Sequence, residues 1–572
     1  MFFILLRRLW VLLKKAINGL EQQKSVSSLS FCSIHPAIMS KNRMKNLPWP
    51  SQLPDEEWAE LSEGLPAKDE PFINKYLDGR EALLDQEKKL RSDHAFKSSL
   101  SPLAREACEI VSRIRAEEQA SIWTSEFEDH VAQETGKNVY PGMMFSLAKD
   151  KMEQTKLWQI VRKMPKGALL HAHMDAMVDF DYLFDVLLAT EGMCIRSDRS
   201  LDTEGSREAG RVGFRFRKKG DAEGASIWSS KYKPDSFVPV ADAADAFPND
   251  GRKGFITWLK SRCTITDTES IEHHHGVDAV WRKFASCFTI LNTIIFYEPI
   301  FRAFMQRMMQ QLLEDGVKWV DLRLAFTFFY YGEGQEEGDE TYSNMFKVMG
   351  EEIEKFKASE EGKGFWGARM IWTGLRVLDT RKIVEDMDAC LAIKMAYPHL
   401  VSGYDLVGQE DAGRPLKDLL PELFWFRKQC AQEGVEIPFF FHAGECLGDG
   451  TLLSRGVSCA ICNDDPAILG QGKTGMTHDF WQALQGWDNL GLAGLASLAE
   501  NSVRWAAFED QNNAQWLNDI KEASLGSGFR AEKLKEWSVE WEQFCLWIVT
   551  EFGDDGESVK KIREEGALDA QD

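Results

Sequence analysis

Short apolar runs alternate with amphipathic helical stretches from about residue 165 onward. The runs end in polar residues or glycine, and they are GALLHAH, VKWVDLRLAF, ARMIWTGLRV, LVSGYDLVG, IPFFFHAG and VSCAICNDD. Helical stretches such as FYEPIFRAFMQRMMQQLLEDG and RPLKDLLPELFWFRKQCAQEG lie between several of them. Strands that alternate with helices are typical of βα units and of a parallel sheet. The pattern therefore predicts an α/β fold.

The rest of the chain divides into regions by the same kind of pattern. Residues 51–160 carry apolar positions at three-to-four spacing between charges, which predicts an N-terminal helical region. Residues 161–550 hold the βα pattern, interrupted at about 193–265 by an insertion rich in Gly, Arg, Ser and Asp. Residues 1–50 are predicted to be disordered or amphipathic, and residues 551–572 form an acidic tail. The apolar stripes of the helical region either pack on the main domain or form a dimer surface.

Composition narrows the choice of partners and compartment. The 68 basic and 90 acidic residues give a net charge of −22, which excludes nucleic acid as a partner unless a local basic patch exists. Eleven cysteines are too few for a disulfide scaffold of this length. Residues 1–20 lack a clean secretion signal, but they repeat a basic pair on one helix face. They indicate either peripheral membrane contact or a start placed upstream of the true one at Met39 or Met44.

The ends of the apolar runs carry the chemically distinctive residues. Parallel βα barrels place their active sites at this end of their strands. His171 and His173 lie two positions apart on the first run, so both imidazoles face the same side of a strand and can share one metal ion. Two histidines on a strand can equally be packed or exposed, so this pair alone decides nothing.

Two later runs add further candidate ligands. His442 ends an apolar run and is followed three residues later by Glu445, a candidate proton shuttle. Asp464 and Asp465 are adjacent carboxylates at the end of the last run; one can bind a metal while the other bonds a substrate. A pair of aspartates before proline can also simply begin a helix. Taken together, three histidines and an aspartate form a ligand set that suits zinc and leaves room for water.

Two other motifs are predicted to have no catalytic or metal-binding role. Cys459 and Cys462 form a C-x-x-C pair, but no H-x-E occurs in the chain and no proline precedes them, which excludes the cytidine-type zinc deaminase design. They are predicted to be buried structural cysteines. The run at 273–275, three histidines in a polar loop, is predicted to be solvated.

Four motifs in this order resemble the adenosine deaminase family, and more closely its adenosine-deaminase-related growth factor branch: MPKGALLHAHMDA, GYDLVGQED, FFFHAGE and ICNDDPAI. The resemblance covers about residues 55–550. It implies a (β/α)₈ barrel of the TIM type, one Zn²⁺ ion per chain, and hydrolysis of an adenosine-type small molecule to inosine and ammonia. It also implies a homodimer formed through the N-terminal helices and an extracellular location, whereas the missing signal peptide favours the cytoplasm.

The resemblance assigns roles residue by residue. The family's zinc ligands match His171, His173, His442 and Asp464. Glu445 matches the acid that protonates the purine ring, and Asp465 matches the carboxylate that bonds the purine. Gly408 matches a backbone contact to the base, and Asp175 matches the residue near the ribose.

One family motif is missing from this chain. A strand ending in H-G-x, whose histidine activates the water, should lie between HAGE and the aspartate pair, but no histidine occurs between His442 and Asp464. Only 22 residues separate those two positions, whereas each βα crossover unit needs about 30 residues or more. We therefore expect a barrel that lacks about two βα units, either through a lost coding segment or as an evolved six-strand form.

Three hypotheses remain at this point. The first is a zinc-dependent adenosine deaminase whose chain as written is impaired. The second is a related amidohydrolase with another substrate, which the matches at Gly408 and Asp465 disfavour. The third is a non-catalytic binding or growth-factor-like relative that keeps a zinc site, which the missing histidine favours.

Overall fold

A computed structural model describes residues 65–135, 145–218, 225–266, 277–339, 341–409, 413–443 and 456–553, with a few single positions at 56–63 and 269. Several of the sequence predictions fall outside these residues: the amphipathic start at 1–20, the histidine run at 273–275, Glu445 and the tail at 554–572. The chain forms two compact units, 1–94 with 450–457, and 95–449 with 458–572.

The described part of the first unit is dominated by one helix, α1 (Pro71–Leu90). Proline begins this helix, where its missing N–H costs no hydrogen bond. None of the α1 side chains is buried, and Phe72 and Leu83 are about 70% exposed. The structure therefore has a helix here, as the sequence pattern predicts, and its apolar side chains are exposed.

Helices and strands of the remaining chain follow in this order: α2 (His94–Ser98), α3 (Pro102–Ser121), α4 (Ser125–Thr135), α5 (Phe145–Met152), α6 (Lys156–Lys163), β1 (Gly167–His173), α7 (Phe180–Ala189), β2 (Met193–Ser197), α8 (Glu204–Ala209), β3 (Val212–Phe216), β4 (Val238–Pro239), α9 (Val240–Asp245), α10 (Gly251–Cys263), α11 (Val277–Ile295), α12 (Glu298–Glu314), β5 (Val317–Ala325), α13 (Ser343–Lys357), β6 (Gly367–Leu375), α14 (Thr380–Ala396), β7 (Val401–Val407), α15 (Leu420–Glu433), α16 (Gly475–Gly486), α17 (Gly491–Trp505), α18 (Asn513–Glu522) and α19 (Phe529–Phe552). None of the helices in the described ranges is long and apolar enough to cross a membrane.

A parallel sheet of order β1-β5-β6-β7 forms the centre of the second unit, as the apolar runs predicted. Its strands are buried on both faces, because helices such as α12, α13 and α14 connect them and cover the sheet. The region after β1 that breaks the pattern holds a second, antiparallel sheet of order β3-β2-β4.

The last two predicted strands are much less regular than the first four. Within the described residues, the run at 437–443 joins β7 through one parallel bridge, Tyr404 with Phe439. The run at 457–465 joins β1 through one parallel bridge, Ala172 with Asp464. These runs therefore continue the sheet at its two opposite edges, giving the order 457–465, β1, β5, β6, β7, 437–443.

Candidate metal centre

Three histidine rings and one carboxylate converge at the carboxyl ends of this sheet. His171 and His173 project from β1, where alternate residues share a face, and His442 and Asp464 come from the two edge runs. The Nε2 atom of His442 lies 2.9 Å from Nε2 of His171 and 3.1 Å from Nε2 of His173. Oδ1 of Asp464 lies 3.3 Å and 3.5 Å from the same two nitrogens. The sequence prediction that these four residues meet is confirmed.

This arrangement fits a tetrahedral metal ion. All four candidate ligand atoms lie within 4.8 Å of one another. Ligand atoms about 2.0–2.1 Å from a tetrahedral zinc ion are separated by about 3.3 Å, which is close to the observed spacings. The donor set of three imidazoles and one carboxylate suits zinc.

Burial keeps the imidazole rings of His171 and His173 in the neutral form. It lowers the pKa of His173 to about 3, against the opposing effect of Asp464, and it lowers the pKa of His171 as well. Both rings are therefore neutral at physiological pH, which is the form that binds metals. Asp464 adopts a left-handed backbone conformation with φ of 55°, which aspartate tolerates better than most residues.

A charged pair behind His442 fixes the orientation of its ring. Nδ1 of His442 lies 2.5 Å from Oδ2 of Asp405, so Nδ1 carries the proton and Nε2 presents its lone pair to the metal position. The backbone N–H of His442 also donates to Asp405, over 2.8 Å. Arg323 donates to Oδ2 of Asp405 over 3.0 Å and to the carbonyl of Leu170 over 2.7 Å, which links this pair to β1.

Asp405 remains ionised in this position. Burial acts to raise its pKa, but the contacts with His442 and Arg323 outweigh burial and hold the pKa at about 2. Arg376 completes the support, because its guanidinium donates to the carbonyl of His442 over 2.9 Å. Sequence reasoning missed all three of these supporting residues. The available signal was that each is a charged residue within, or directly after, an otherwise apolar strand.

The other predicted site residues occupy the same end of the sheet. Asp175 lies in a turn directly after β1 and is buried, and burial raises its pKa to about 7. Asp465 is also buried. Gly408 directly follows β7 with φ of 116°, a conformation that excludes side chains. Glu445 lies outside the described residues, so the structure does not place it.

The C-x-x-C pair differs from its prediction. Cys459 and Cys462 are half-buried rather than fully buried, and they lie in an irregular extended segment rather than a regular strand. The reason is that this run is paired only with β1, so one of its sides has no strand beside it in the described residues.

Comparison with known proteins finds sequence similarity to adenosine deaminases. No family model matches it. It is 25% identical over 478 residues to an adenosine deaminase of the sand fly Phlebotomus duboscqi, covering 72% of this chain and 82% of that protein. It is 29% identical over 477 residues to adenosine deaminase 2 of Pongo abelii, covering 72% and 84%.

A third relative spans more of the chain. Adenosine deaminase 2 of Dictyostelium discoideum is 23% identical over 546 aligned residues, covering 84% of this chain and 89% of that protein. Since 84% of 572 residues is about 480, about 66 aligned positions have no residue of this chain opposite them. Among solved structures, a zinc-bound amidohydrolase from Burkholderia ambifaria has a TM-score of 0.40 and 11% identity, covering 69% of this chain and 96% of that one. The chain is thus similar in sequence, at about 25% identity over most of its length, to proteins named adenosine deaminase and adenosine deaminase 2.

Proposed function

We propose that this chain derives from a zinc-dependent deaminase that hydrolyses adenosine or 2'-deoxyadenosine to inosine and ammonia. The observation that carries the proposal is the convergence of His171, His173, His442 and Asp464 on one point. The names of the sequence relatives support the same reaction. A bound zinc ion supplies Lewis-acid activation of water at neutral pH.

The neighbouring residues are proposed to bind and orient the nucleoside. Asp465, buried beside the ligand Asp464, accepts a hydrogen bond from the purine, and the backbone of Gly408 approaches the base closely because no side chain intervenes. Asp175 is proposed to lie near the ribose, and Glu445 to donate a proton to the purine ring. These carboxylates can accept hydrogen bonds from the amino and hydroxyl groups of a neutral nucleoside. The net charge of −22 disfavours binding of a nucleic acid.

We further propose that the sheet is a (β/α)₈ barrel without two of its βα units. The two edge runs hold one bridge each, as expected of strands that lack a neighbour on one side. Leu420 and Phe424 lie one turn apart on α15, the last helix before the break, and they are 47% and 72% exposed. The number of aligned positions without a residue of this chain, about 66, is similar to the number of residues in two βα units of about 30 each, which supports the proposal.

The missing segment has a direct consequence for activity. The family histidine that activates the water would lie in it, and no histidine occurs between His442 and Asp464. We therefore propose that the chain as written binds zinc but turns over little or no adenosine. This same observation favours a second candidate, a non-catalytic binding relative that keeps the metal site. The homodimer and a membrane contact of residues 1–20 stay predictions.

The test combines metal content with turnover. The purified chain is expected to bind about one zinc ion, measured by elemental analysis after dialysis, and His442→Ala is expected to abolish this binding. His399→Ala, an exposed histidine on the same unit, is the matched control and should retain the ion. Ammonia release is then measured with adenosine, 2'-deoxyadenosine and a panel of other amidines.

The outcomes separate the candidates. Turnover of adenosine by a chain with the segment restored, but not by its His442→Ala variant, supports the deaminase. A restored chain that binds zinc and turns over only another amidine identifies a different amidohydrolase. Zinc binding without any turnover in both chains supports the binding relative. A chain that binds no zinc in either form contradicts the proposed metal site.

A further inference from the structure

A cavity lies between the sheet and the helices, and none of the candidate metal ligands lines it. Its volume is about 230 Å³, below the range of about 300–1,000 Å³ typical of drug-sized ligands. It lies at the carboxyl ends of β5 and β6, against the first turns of α14. We call it the β6–α14 cavity, and the side chains that matter below are Phe326, Tyr342, Trp372, Lys382, Glu385 and Asp386.

Aromatic rings form one wall of the β6–α14 cavity. Phe326 stacks on Trp372 with ring centroids 3.6 Å apart, and Tyr342 meets Phe326 edge-on at 5.0 Å. Phe326 and Tyr342 are only half-buried, so part of each ring borders the cavity. Aromatic rings attract cations through their negative faces and also pack against alkyl groups.

Tyr342 has a strained backbone conformation, and its side chain is held by hydrogen bonds. Its φ of 57° is a left-handed conformation, which is uncommon for a bulky residue. The Tyr342 hydroxyl donates toward the carbonyls of Phe328, over 2.7 Å, and Phe326, over 3.2 Å. These contacts fix the ring beside Phe326 and keep the aromatic wall in one arrangement.

A carboxylate without a cationic partner, Asp386, also lines the cavity, next to the aromatic rings. Oδ1 of Asp386 accepts from Nε1 of Trp372 over 2.9 Å, and Oδ2 accepts from the hydroxyl of Tyr404 over 2.8 Å. Both donors are neutral, and a carboxylate has about four acceptor positions, so two remain. Within the described ranges, no Lys or Arg side-chain nitrogen lies within 4.0 Å of a carboxylate oxygen of Asp386, whereas Glu385 at the rim is paired with Arg381.

We propose that the β6–α14 cavity binds a small alkylammonium ion. The ammonium group lies against Asp386, and the alkyl carbons pack on Phe326 and Tyr342. Asp386 is fixed by two hydrogen bonds before any ligand arrives, so little ordering is needed on binding. Lys382 lines the cavity as well, but it is exposed, so its ammonium group can turn toward water.

The test compares cations with a neutral molecule of the same shape. Binding of n-butylammonium and tetramethylammonium to the full chain is measured by calorimetry and by ligand-observed NMR, with NaCl keeping the ionic strength constant. We expect both cations to bind and n-butanol to bind at least about tenfold more weakly, because it lacks the charge that Asp386 contacts. Asp386→Asn should weaken cation binding by about tenfold or more.

A control variant on the same helix separates the effect of the Asp386 carboxylate from a general loss of charge. Asp388→Asn removes an exposed carboxylate from the same helix and should leave binding unchanged. Asp386→Asn preserves an acceptor for Trp372, and its folding is checked by circular dichroism. The proposal is overturned by equal affinity of the two variants, by n-butanol binding as tightly as n-butylammonium, or by no cation binding up to about 50 mM, far weaker than a specific charged contact allows. Because the cavity does not contain the metal ligands, none of these results depends on zinc or on deamination.

Discussion

At the scale of single residues, Asp405 determines how well His442 can serve as a ligand. It is fully buried and contacts the ring, the backbone N–H of His442 and Arg323. Partners of this kind orient a ligating imidazole, and their loss costs about 10–100-fold in metal affinity. We therefore expect Asp405→Asn to weaken zinc binding by that factor, measured by competition with a chelator.

A control separates this effect from a general loss of charge. Asp388→Asn removes one negative charge at an exposed position and should leave zinc affinity unchanged. Equal zinc affinities of the Asp405→Asn and Asp388→Asn proteins, both folded by circular dichroism, would show that the contact with His442 does not orient the ring.

A second residue-scale prediction concerns stability and pH. Burial raises the pKa of Asp386 from 3.8 to about 6, despite hydrogen bonds from Trp372 and Tyr404. Between these two values the folded chain binds more protons than the unfolded chain, so the free energy of unfolding falls as pH rises through about 4 to 6. The loss is up to about 3 kcal/mol, and Asp386→Asn should remove it.

The measurement is chemical denaturation of both proteins at several pH values. The difference in unfolding free energy between Asp386→Asn and the unchanged chain should grow from about pH 4 to about pH 6 and then level off. A difference that stays constant over this range would mean that the carboxylate has the same pKa in the folded and unfolded chains.

At the scale of elements, the pattern of apolar positions predicted β1, β5, β6 and β7 because each is a local apolar run buried on both faces. The same reasoning predicted regular strands at 437–444 and 457–465. In the described residues, 437–443 and 457–465 lie at the sheet edges and hold one bridge each. Regular pairing depends on a neighbouring strand from elsewhere in the chain. A local pattern carries no information about whether that neighbour exists.

In the candidate site, too, local features were predictable from the sequence and long-range contacts were not. His171 and His173 were predictable because a strand places alternate residues on one face. Arg323 and Asp405 were not, since their partners are distant in sequence: Arg323 is 82 residues from Asp405, and Asp405 is 37 residues from His442. A charged residue within an apolar strand signals a buried partner but does not identify it.

Helix α16 supplies the surface on which the turn carrying Asp464 and Asp465 rests. A side-chain carbon added at Gly475 would lie 2.6 Å from Cβ of Pro466 and 2.6 Å from Nδ2 of Asn463. Gly475→Ala should therefore displace this turn, lowering the stability by about 1–3 kcal/mol despite the better helix propensity of alanine. Zinc affinity should fall with it.

The control for this variant is another helical glycine. A side-chain carbon at Gly205, in α8, meets nothing within 4 Å, so Gly205→Ala should be neutral or slightly stabilising. Thermal unfolding and chelator competition are measured for both variants. If Gly475→Ala bound zinc as tightly as Gly205→Ala, the turn would not depend on close contact with α16.

At the scale of the whole molecule, the proposed loss of two βα units would leave both edge runs of the sheet without an outer partner. Among the described residues each edge run holds one bridge, and Phe424 on α15, the helix before the run at 437–443, is exposed. Unpaired sheet edges and exposed aromatic residues favour association between chains. The chain as written should therefore be prone to aggregate, although its net charge of −22 opposes this.

Inserting a segment of two βα units from a relative, about 60 residues or more, between Glu445 and Asp464 tests this proposal directly. We expect the midpoint of thermal unfolding to rise, because the edge runs gain neighbouring strands. About 1 kcal/mol shifts such a midpoint by about 2–4 °C in a domain of 150–250 residues, and by less in a larger one. Amide exchange over 420–443 should slow as the edge run gains a partner, and adenosine turnover should appear with the segment's histidine. A length-matched Gly/Ser segment is the control and should produce none of these changes. If the unmodified chain already matched the restored one in exchange and in turnover, the six-run sheet would be a complete and functional fold.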